Sequence, residues 1–412
     1  MELDAVPQPA LEQVDRLQGA DLVVAILRSG NGRSSAAAAI VREALGAFPQ
    51  PPRAVLVVDD SAGGAPIEGE TSLPVLVCHL SDGAPALSPQ EVFGAYQTVL
   101  GIGRKIGARA CAVIASDLEA VTPLWVDRLV RPALEMKFDL VAPCYARHRW
   151  EGLLNRSIFS PLYGALYGKR IQNPLGPDFG LSGSFVESML ESQQGAGRTA
   201  PMNPMASVVS GAVRGNFQIC EAYVGTRLQP PADWMNLSSL LAQILGPVFL
   251  DVERNVAVWQ RVRGLQAVPA FGMSELVSAE GGQVDAGRLI DSFHLGAQNL
   301  QDVWSLVLPP KALFEVRKLS RLPAAQFRMA DDLWVSIVYD FALAHRVRQI
   351  NRDHLLRSFT PLYLGWVASY ALEVGAANPY EVEARLERLA RAYEAGKPYL
   401  VSRWRWPDRF NP

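Results

Sequence analysis

The sequence predicts an α/β domain, Rossmann-like with a mostly parallel central sheet, followed by an all-helical C-terminal domain. Two observations predict it. From Asp21 to about Val224, short apolar runs alternate with helical patterns, the signature of βα units around a parallel sheet. Beyond about Thr226 the chain turns to long stretches with apolar residues at helical spacing. With 412 residues it exceeds one ordinary core and suffices for two. The expected division is an N-terminal extension over 1–20, the α/β domain over 21–230 and the helical domain over 231–412.

The elements follow in order. "DLVVAIL" reads as a first strand, with the small-residue turn "RSGNGRSS" and the helix "AAAAIVREALGAF" after it. "RAVLVVDD" is a second strand and "LPVLVCHL" a third; a helix near Pro89 to Gly107 leads into a strand at Ala110, and "FDLVAPCYAR" supplies another. "NPLGPDFGLSG" reads as a loop, and "GAGRTAPMNP" as a mobile one. Four stretches, "NLSSLLAQILGPVFLDVERN", "QFRMADDLWVSIVYDFALAHR", "RDHLLRSFTPLYLGWVASYALEV" and "PYEVEARLERLARAYEAG", read as helices. The glycines of "GIGRKIG" fall inside a helix and lack the Lys-Ser/Thr pair of a phosphate loop.

Composition narrows the function classes. The chain is 49% hydrophobic and 19% charged, a globular balance. A net charge of −2 provides no overall attraction to nucleic acid or anionic membrane, so small molecules or proteins are the expected partners. The N-terminus is acidic and lacks a basic-then-apolar leader, and no run reaches the 18 or more apolar residues of a membrane span. A cytoplasmic protein is expected. Cys78, Cys111, Cys144 and Cys220 sit in apolar, strand-like stretches without metal-ligand spacing, which points to reduced core thiols.

Open α/β sheets bind ligands at the carboxyl ends of their strands, so the informative residues are those where apolar runs stop. The first strand ends in Arg28, Ser29, Asn31 and Arg33, with Gly30 and Gly32 allowing backbone N–H groups to approach a phosphate. The second ends in Asp59 and Asp60, carboxylates suited to a base or ribose. The strand at Ala110 ends in Ser116 and Asp117. Two readings of Asp117 stay open: a turn acceptor or cap before "TPLWVDRLVRPALE", or a ligand for Mg²⁺ or Mn²⁺. Further on, Arg147, His148, Arg149, Arg156, Lys169 and Arg170 lie among Tyr145, Trp150, Tyr163 and Tyr167. These cations suit an anionic small acceptor held by a bidentate arginine, or they are a solvated helix face. Gly176 and Gly180 permit close backbone approach near Asp178.

Taken together, "DLVVAILRSGNGRSS", "AVLVVDDSAGGAP", "GARACAVIASDLEAVTPLWVDRLVRPAL", the stretch from Cys144 to Gly183 and "QICEAYVG" resemble the GT-A glycosyltransferases related to mannosylglycerate synthase and glucosyl-3-phosphoglycerate synthase. The resemblance covers roughly residues 21 to 405, helical tail included. It implies a GT-A nucleotide-sugar-binding domain and retaining transfer of a sugar from a nucleotide-diphosphate donor to a small acid such as glycerate. It further implies a homodimer and a divalent cation, Mg²⁺ or Mn²⁺, on Asp117. It places Asp59 or Asp60 on the nucleotide, and with the strand ends the candidate donor residues are Arg28, Ser29, Asn31, Asp59, Asp60, Ser116 and Asp117, to which Arg227 is added below. Arg147, His148, Arg149, Gly176 and Asp178 would take the acceptor.

The sequence departs from that pattern at four places. The family's Asp-x-Asp is Ala115-Ser116-Asp117. Where a Gly-Lys-Gly turn is expected, the neighbourhood of "SPQEVFGAYQ" holds no lysine, and no carboxylate stands near "PMNPMASVV" where a Gly-x-Asp is expected. A metal-binding histidine expected after "EAYVG" falls near Arg227, Leu228 and Gln229. Arg227 is a candidate to neutralise a phosphate in its place. Two functions follow: a glycosyltransferase with an atypical or metal-poor donor site, or a degenerate homologue serving as a nucleotide-binding or protein-interaction scaffold. The ending "SRWRWPDRF" either docks on its own chain or packs across an interface.

Overall fold

The structure is a computed structural model that describes residues 8–17, 19–27, 33–59, 73–78, 89–176, 178–194, 204–227, 234, 237–273 and 284–407. In chain order the first elements are α1 (Gln8–Arg16), β1 (Leu22–Ile26), α2 (Ser34–Gly46), β2 (Ala54–Asp59), β3 (Val75–Cys78), α3 (Pro89–Lys105) and β4 (Ala110–Ile114). Next come α4 (Pro123–Glu135), β5 (Leu140–Ala146), a π-helical turn (Asn155–Phe159), α5 (Ser160–Tyr167), β6 (Phe179–Ser182), α6 (Gly183–Gln194), α7 (Pro204–Arg214) and β7 (Ile219–Thr226). The C-terminal part holds α8 (Leu237–Arg254), α9 (Val256–Trp259), β8 (Ala270–Phe271), α10 (Ala286–Asn299), α11 (Gln301–Val307) and α12 (Pro310–Leu319). It closes with α13 (Asp331–Val347), α14 (Arg352–Ser358), α15 (Thr360–Val374) and α16 (Pro379–Arg405).

The chain divides into two compact units. The first joins Met1–Ala146, Ile171–Leu228 and Val268–Glu275; the second joins Arg147–Arg170, Gln229–Ala267 and Leu276–Pro412. A single cut near residue 230 therefore misses two crossings. Residues 147–170 belong with the helices, and β8 adds to the sheet of the first unit.

That sheet runs β3-β2-β1-β4-β6-β5-β7-β8. Pairing is parallel except at β6, which is antiparallel to both β4 and β5. The carboxyl ends of β1, β2, β4, β5 and β7 consequently share one edge. β1 and β4 are buried along their whole length, as a strand covered on both faces must be. One face packs on Val41, Trp125, Val126 and Leu129 of α2 and α4. β6 replaces part of the expected loop, and Gly180 explains why its sequence looks like one. A Cβ there would stand 1.9 Å from the Leu129 carbonyl oxygen of α4, so the strand carries glycine where helix and sheet meet. Cys78, Cys111, Cys144 and Cys220 are buried thiols, not disulfides, on β3, β4, β5 and β7.

In the second unit an aromatic stack forms the centre. Trp334 of α13 stacks on Trp366 of α15 with centroids 5.7 Å apart, and Trp366 on Tyr370 at 5.2 Å. The stretch expected as one helix over 352–374 is two, broken at Phe359 with Pro361 in the first turn of α15. α16 runs beyond its expected end through Pro398 to Arg405, which brings Trp404 edge-on to Trp259 at 5.3 Å within the same unit. Trp404 is buried, whereas Trp406 is exposed. Among the described residues, no helix is long and apolar enough to cross a membrane.

Candidate functional site

The shared carboxyl edge of the first unit gathers the polar strand ends. β2 stops at Asp59, β4 runs into Ala115-Ser116-Asp117, β5 ends in Tyr145 and Ala146, and β7 leads to Arg227. β6, running the other way, starts beside Asp178 on the same edge.

Asp178 organises this edge. It is fully buried, and Ala115 N–H and Ser116 N–H donate to its Oδ1 at 2.8 and 3.0 Å. Its Oδ2 accepts from the Ser116 hydroxyl at 2.6 Å and from the Tyr145 hydroxyl at 2.5 Å. An ionised carboxylate has about four lone-pair positions, so these donors use its acceptor capacity. The turn after β4 is thereby fixed by a residue 62 positions downstream. Upstream of Asp178, Asn173 donates its side-chain N–H to the Pro143 carbonyl at 2.8 Å, and Gly176 N–H closes a turn on Asn173 at 3.0 Å.

Arg227 lies over the Tyr145 ring, its guanidinium carbon 5.6 Å from the centroid. Its Nε is buried, without a hydrogen-bond partner among the described residues. Tyr145 itself packs on Trp125 at 5.6 Å and is hydroxyl-bonded to Asp178, so the surface under the guanidinium is rigid. Tyr96 of α3 is buried beside both charges: burial and then Asp178 push its phenol well above the ordinary range, while Arg227 opposes them. Asp59 is buried next to Cys78, whose thiol is pushed up to about 12 by burial and then by the Asp59 charge. Arg33 pairs with Glu119 at 2.9 Å near the start of α2.

The alternatives for Asp117 narrow. Thr122 is the N-cap of α4, accepting from Trp125 N–H at 3.2 Å, so Asp117 is not that cap. The Asp117 carbonyl accepts from Ala120 N–H at 2.9 Å, closing the turn. Arg28, Ser29, Asn31 and Asp60 lie outside the described residues.

Of the residues expected around an acceptor, Arg147, His148 and Arg149 belong to the second unit and Gly176 and Asp178 to the first. Arg149 is buried and donates to the Val374 and Gly375 carbonyls at 2.7 and 2.6 Å, closing the end of α15. Arg156 pairs with Glu383, and Arg170 with Glu387 at 2.5 Å, both on α16. Arg147 folds against Gly152, and His148 donates its backbone N–H to Glu151 at 3.0 Å. Tyr145 and Tyr96 are parts of the edge that sequence reasoning did not assign. Tyr145 carried a signal, an aromatic at a strand end ahead of three basic residues; Tyr96, one aromatic in a helical pattern, carried none.

For a divalent cation, Mg²⁺ or Mn²⁺, the 115–117 turn offers one carboxylate, Asp117. Among the described residues, no group of three or more His, Cys, Asp or Glu side chains is placed to hold a metal. The Asp-x-Asp position offers an alanine, the Ser116 hydroxyl is turned to Asp178, and Asp178 has four donors.

The architecture is thus an α/β sheet with a polar carboxyl edge, joined in one chain to a helical unit. No protein-family model matches the sequence, and no curated protein matches it. Solved structures similar to it include two sugar-phosphoglycerate synthases. One is glucosyl-3-phosphoglycerate synthase from Mycobacterium tuberculosis, in complex with Mn²⁺, UDP-glucose and phosphoglyceric acid. It is 18% identical with a TM-score of 0.37, over 59% of this chain and 82% of that one. Another is mannosyl-3-phosphoglycerate synthase from Rubrobacter xylanophilus, 14% identical with a TM-score of 0.36, over 61% and 80%.

Proposed function

We propose that the protein is a nucleotide-sugar-dependent, retaining glycosyltransferase with a metal-poor donor site, acting on a small anionic or polyol acceptor of the glycerate type. The observation that carries this reading is the linked set Ser116, Tyr145, Asp178 and Arg227 at the carboxyl edge of an open α/β sheet, where nucleotides bind. Asp59, Ser116 and Asp117 are assigned to the donor, and Arg227 to its diphosphate.

In the transfer, the acceptor hydroxyl oxygen bonds to the anomeric carbon on the face that the diphosphate leaves. The bond from that carbon to the phosphate oxygen breaks with its electron pair on the oxygen, which takes the hydroxyl proton. The chain's part is to stabilise charge growing on the diphosphate and to hold the donor in place. The alternative, a degenerate homologue that serves as a scaffold, is favoured by Ala115 and by the fully engaged carboxylate of Asp178.

The test is thermal stability of the full chain against UDP-, GDP- and ADP-sugars, paired with diphosphate release in the presence of glycerate or 3-phosphoglycerate. A ligand at about 100 times its dissociation constant adds about 2.7 kcal/mol, which registers as a shift. Stabilisation with acceptor-dependent release supports the enzyme. Stabilisation without release supports a nucleotide-binding scaffold, and no shift with any donor rejects the nucleotide site.

A further inference from the structure

We propose that Arg227 supplies, as a fixed guanidinium, the positive charge on the donor diphosphate that a bound divalent cation would otherwise supply. This rests on the nucleotide-sugar reading and adds to it that diphosphate binding is independent of metal.

The first observation concerns the anionic side of the edge. Asp178, the buried carboxylate nearest the turn after β4, accepts from two backbone N–H groups and two hydroxyls. Its lone pairs are committed to holding the turn in shape and are not available to a cation. Ala115 contributes only its N–H. Asp117 is the one carboxylate within the 115–117 turn, and a lone carboxylate leaves most of a hard cation's six or more oxygen sites to water and ligand.

The second observation concerns the cationic side. Arg227 directly follows β7, and the Tyr145 ring under it is pinned through its hydroxyl to Asp178. The same carboxylate that shapes the turn after β4 therefore also sets the platform for the arginine. The buried Nε of Arg227 has no hydrogen-bond partner among the described residues. A guanidinium presents five donors in a planar fork that matches phosphate oxygens, and it holds its charge at any physiological pH. Such a group, already oriented and half-buried, meets a diphosphate without the ordering cost of a mobile lysine.

The experiment measures binding of UDP, GDP and ADP to the full chain by calorimetry, in EDTA and in Mn²⁺, with the parent nucleosides as controls. The expected result is a diphosphate affinity that agrees within about twofold between EDTA and Mn²⁺. Arg227→Met should weaken that diphosphate about 10- to 100-fold, the range of a lost charge-assisted hydrogen bond, and leave the nucleoside unchanged. Arg227→Lys should recover part of the loss. Binding that requires Mn²⁺, or a diphosphate affinity unmoved in Arg227→Met, overturns the proposal while leaving the transferase reading standing. The EDTA comparison needs no variant, so a misfolded substitution does not shield the idea. Failure of every diphosphate to bind under both conditions overturns this proposal together with the reading it rests on.

Discussion

The Tyr145 hydroxyl donates to the Asp178 carboxylate at 2.5 Å, joining the end of β5 to the entry of β6. Because Ala115 and Ser116 donate to the same carboxylate, Asp178 is the acceptor at every one of four contacts. Asp178→Asn keeps the shape but turns one oxygen into an NH₂ that can only donate. With its oxygen kept on the two backbone N–H groups, the NH₂ faces the Ser116 and Tyr145 hydroxyls, which must turn to accept and lose the charged acceptor for their own protons. The expected cost is about 2–4 kcal/mol in urea unfolding, from hydrogen bonds to a charged acceptor lost without solvent to replace them. Tyr145→Phe removes one donor only and should cost about 1 kcal/mol. Equal, small losses in both variants would show that the carboxylate does not organise the edge.

Gly103 tests how α3 seats on the sheet. A Cβ at that position would stand 2.3 Å from Cys111 Sγ on β4, too close without movement. Gly103→Ala alone is therefore destabilising by about 1–3 kcal/mol, the usual cost of overpacking. Cys111→Ala removes the clashing sulfur, so the double variant should regain much of that loss. A double-mutant cycle reads the coupling directly, and strictly additive effects would refute the contact. The glycine in "GIGRKIG" thus serves packing, in keeping with its lack of phosphate-loop neighbours.

What was legible in the sequence follows burial on both faces. β1 and β4 stand out as uninterrupted apolar runs because every residue in them is buried. β6 was hidden, since "FGLS" is four residues long, carries Gly180 against α4 and follows a turn held by Asn173. The strand ends pointed to Ser116 and Asp117, the glycine-rich loop to Asp178 and the resemblance to Arg227, but not to the bonds that Ala115, Ser116 and Tyr145 make to Asp178, which span 33 to 63 residues. Local sequence has no means to register such pairings. The same blindness made Arg149, Arg156 and Arg170 look like a cationic surface. Their partners Val374, Glu383 and Glu387 lie more than 200 residues away, on α15 and α16.

Two buried titratable groups on α13 pull the pH dependence of stability in opposite directions. Asp340 is buried and accepts from the Tyr399 hydroxyl at 2.8 and 2.9 Å. Burial pushes its carboxyl up to about 7 against the opposing pull of Tyr399 and Arg403. His345, also buried, is lowered to about 3 by burial and then by the Arg352 and Arg348 charges. Between about pH 4 and 7 the folded state retains a proton on Asp340 that the unfolded chain has lost, so stability falls as pH rises. Between about pH 3 and 6.5 the unfolded chain holds a proton on the histidine that the folded state lacks, so stability rises with pH. Each contributes a slope of up to about 1.4 kcal/mol per pH unit, and across roughly pH 4 to 6.5 the two offset one another. Asp340→Asn should therefore leave the rising slope exposed, and His345→Gln the falling one. Each is read as variant minus wild-type stability across the window. A pH-independent difference for either variant would mean that its group titrates at the same pH in the folded and unfolded chain, and that the burial on α13 is not felt as charge.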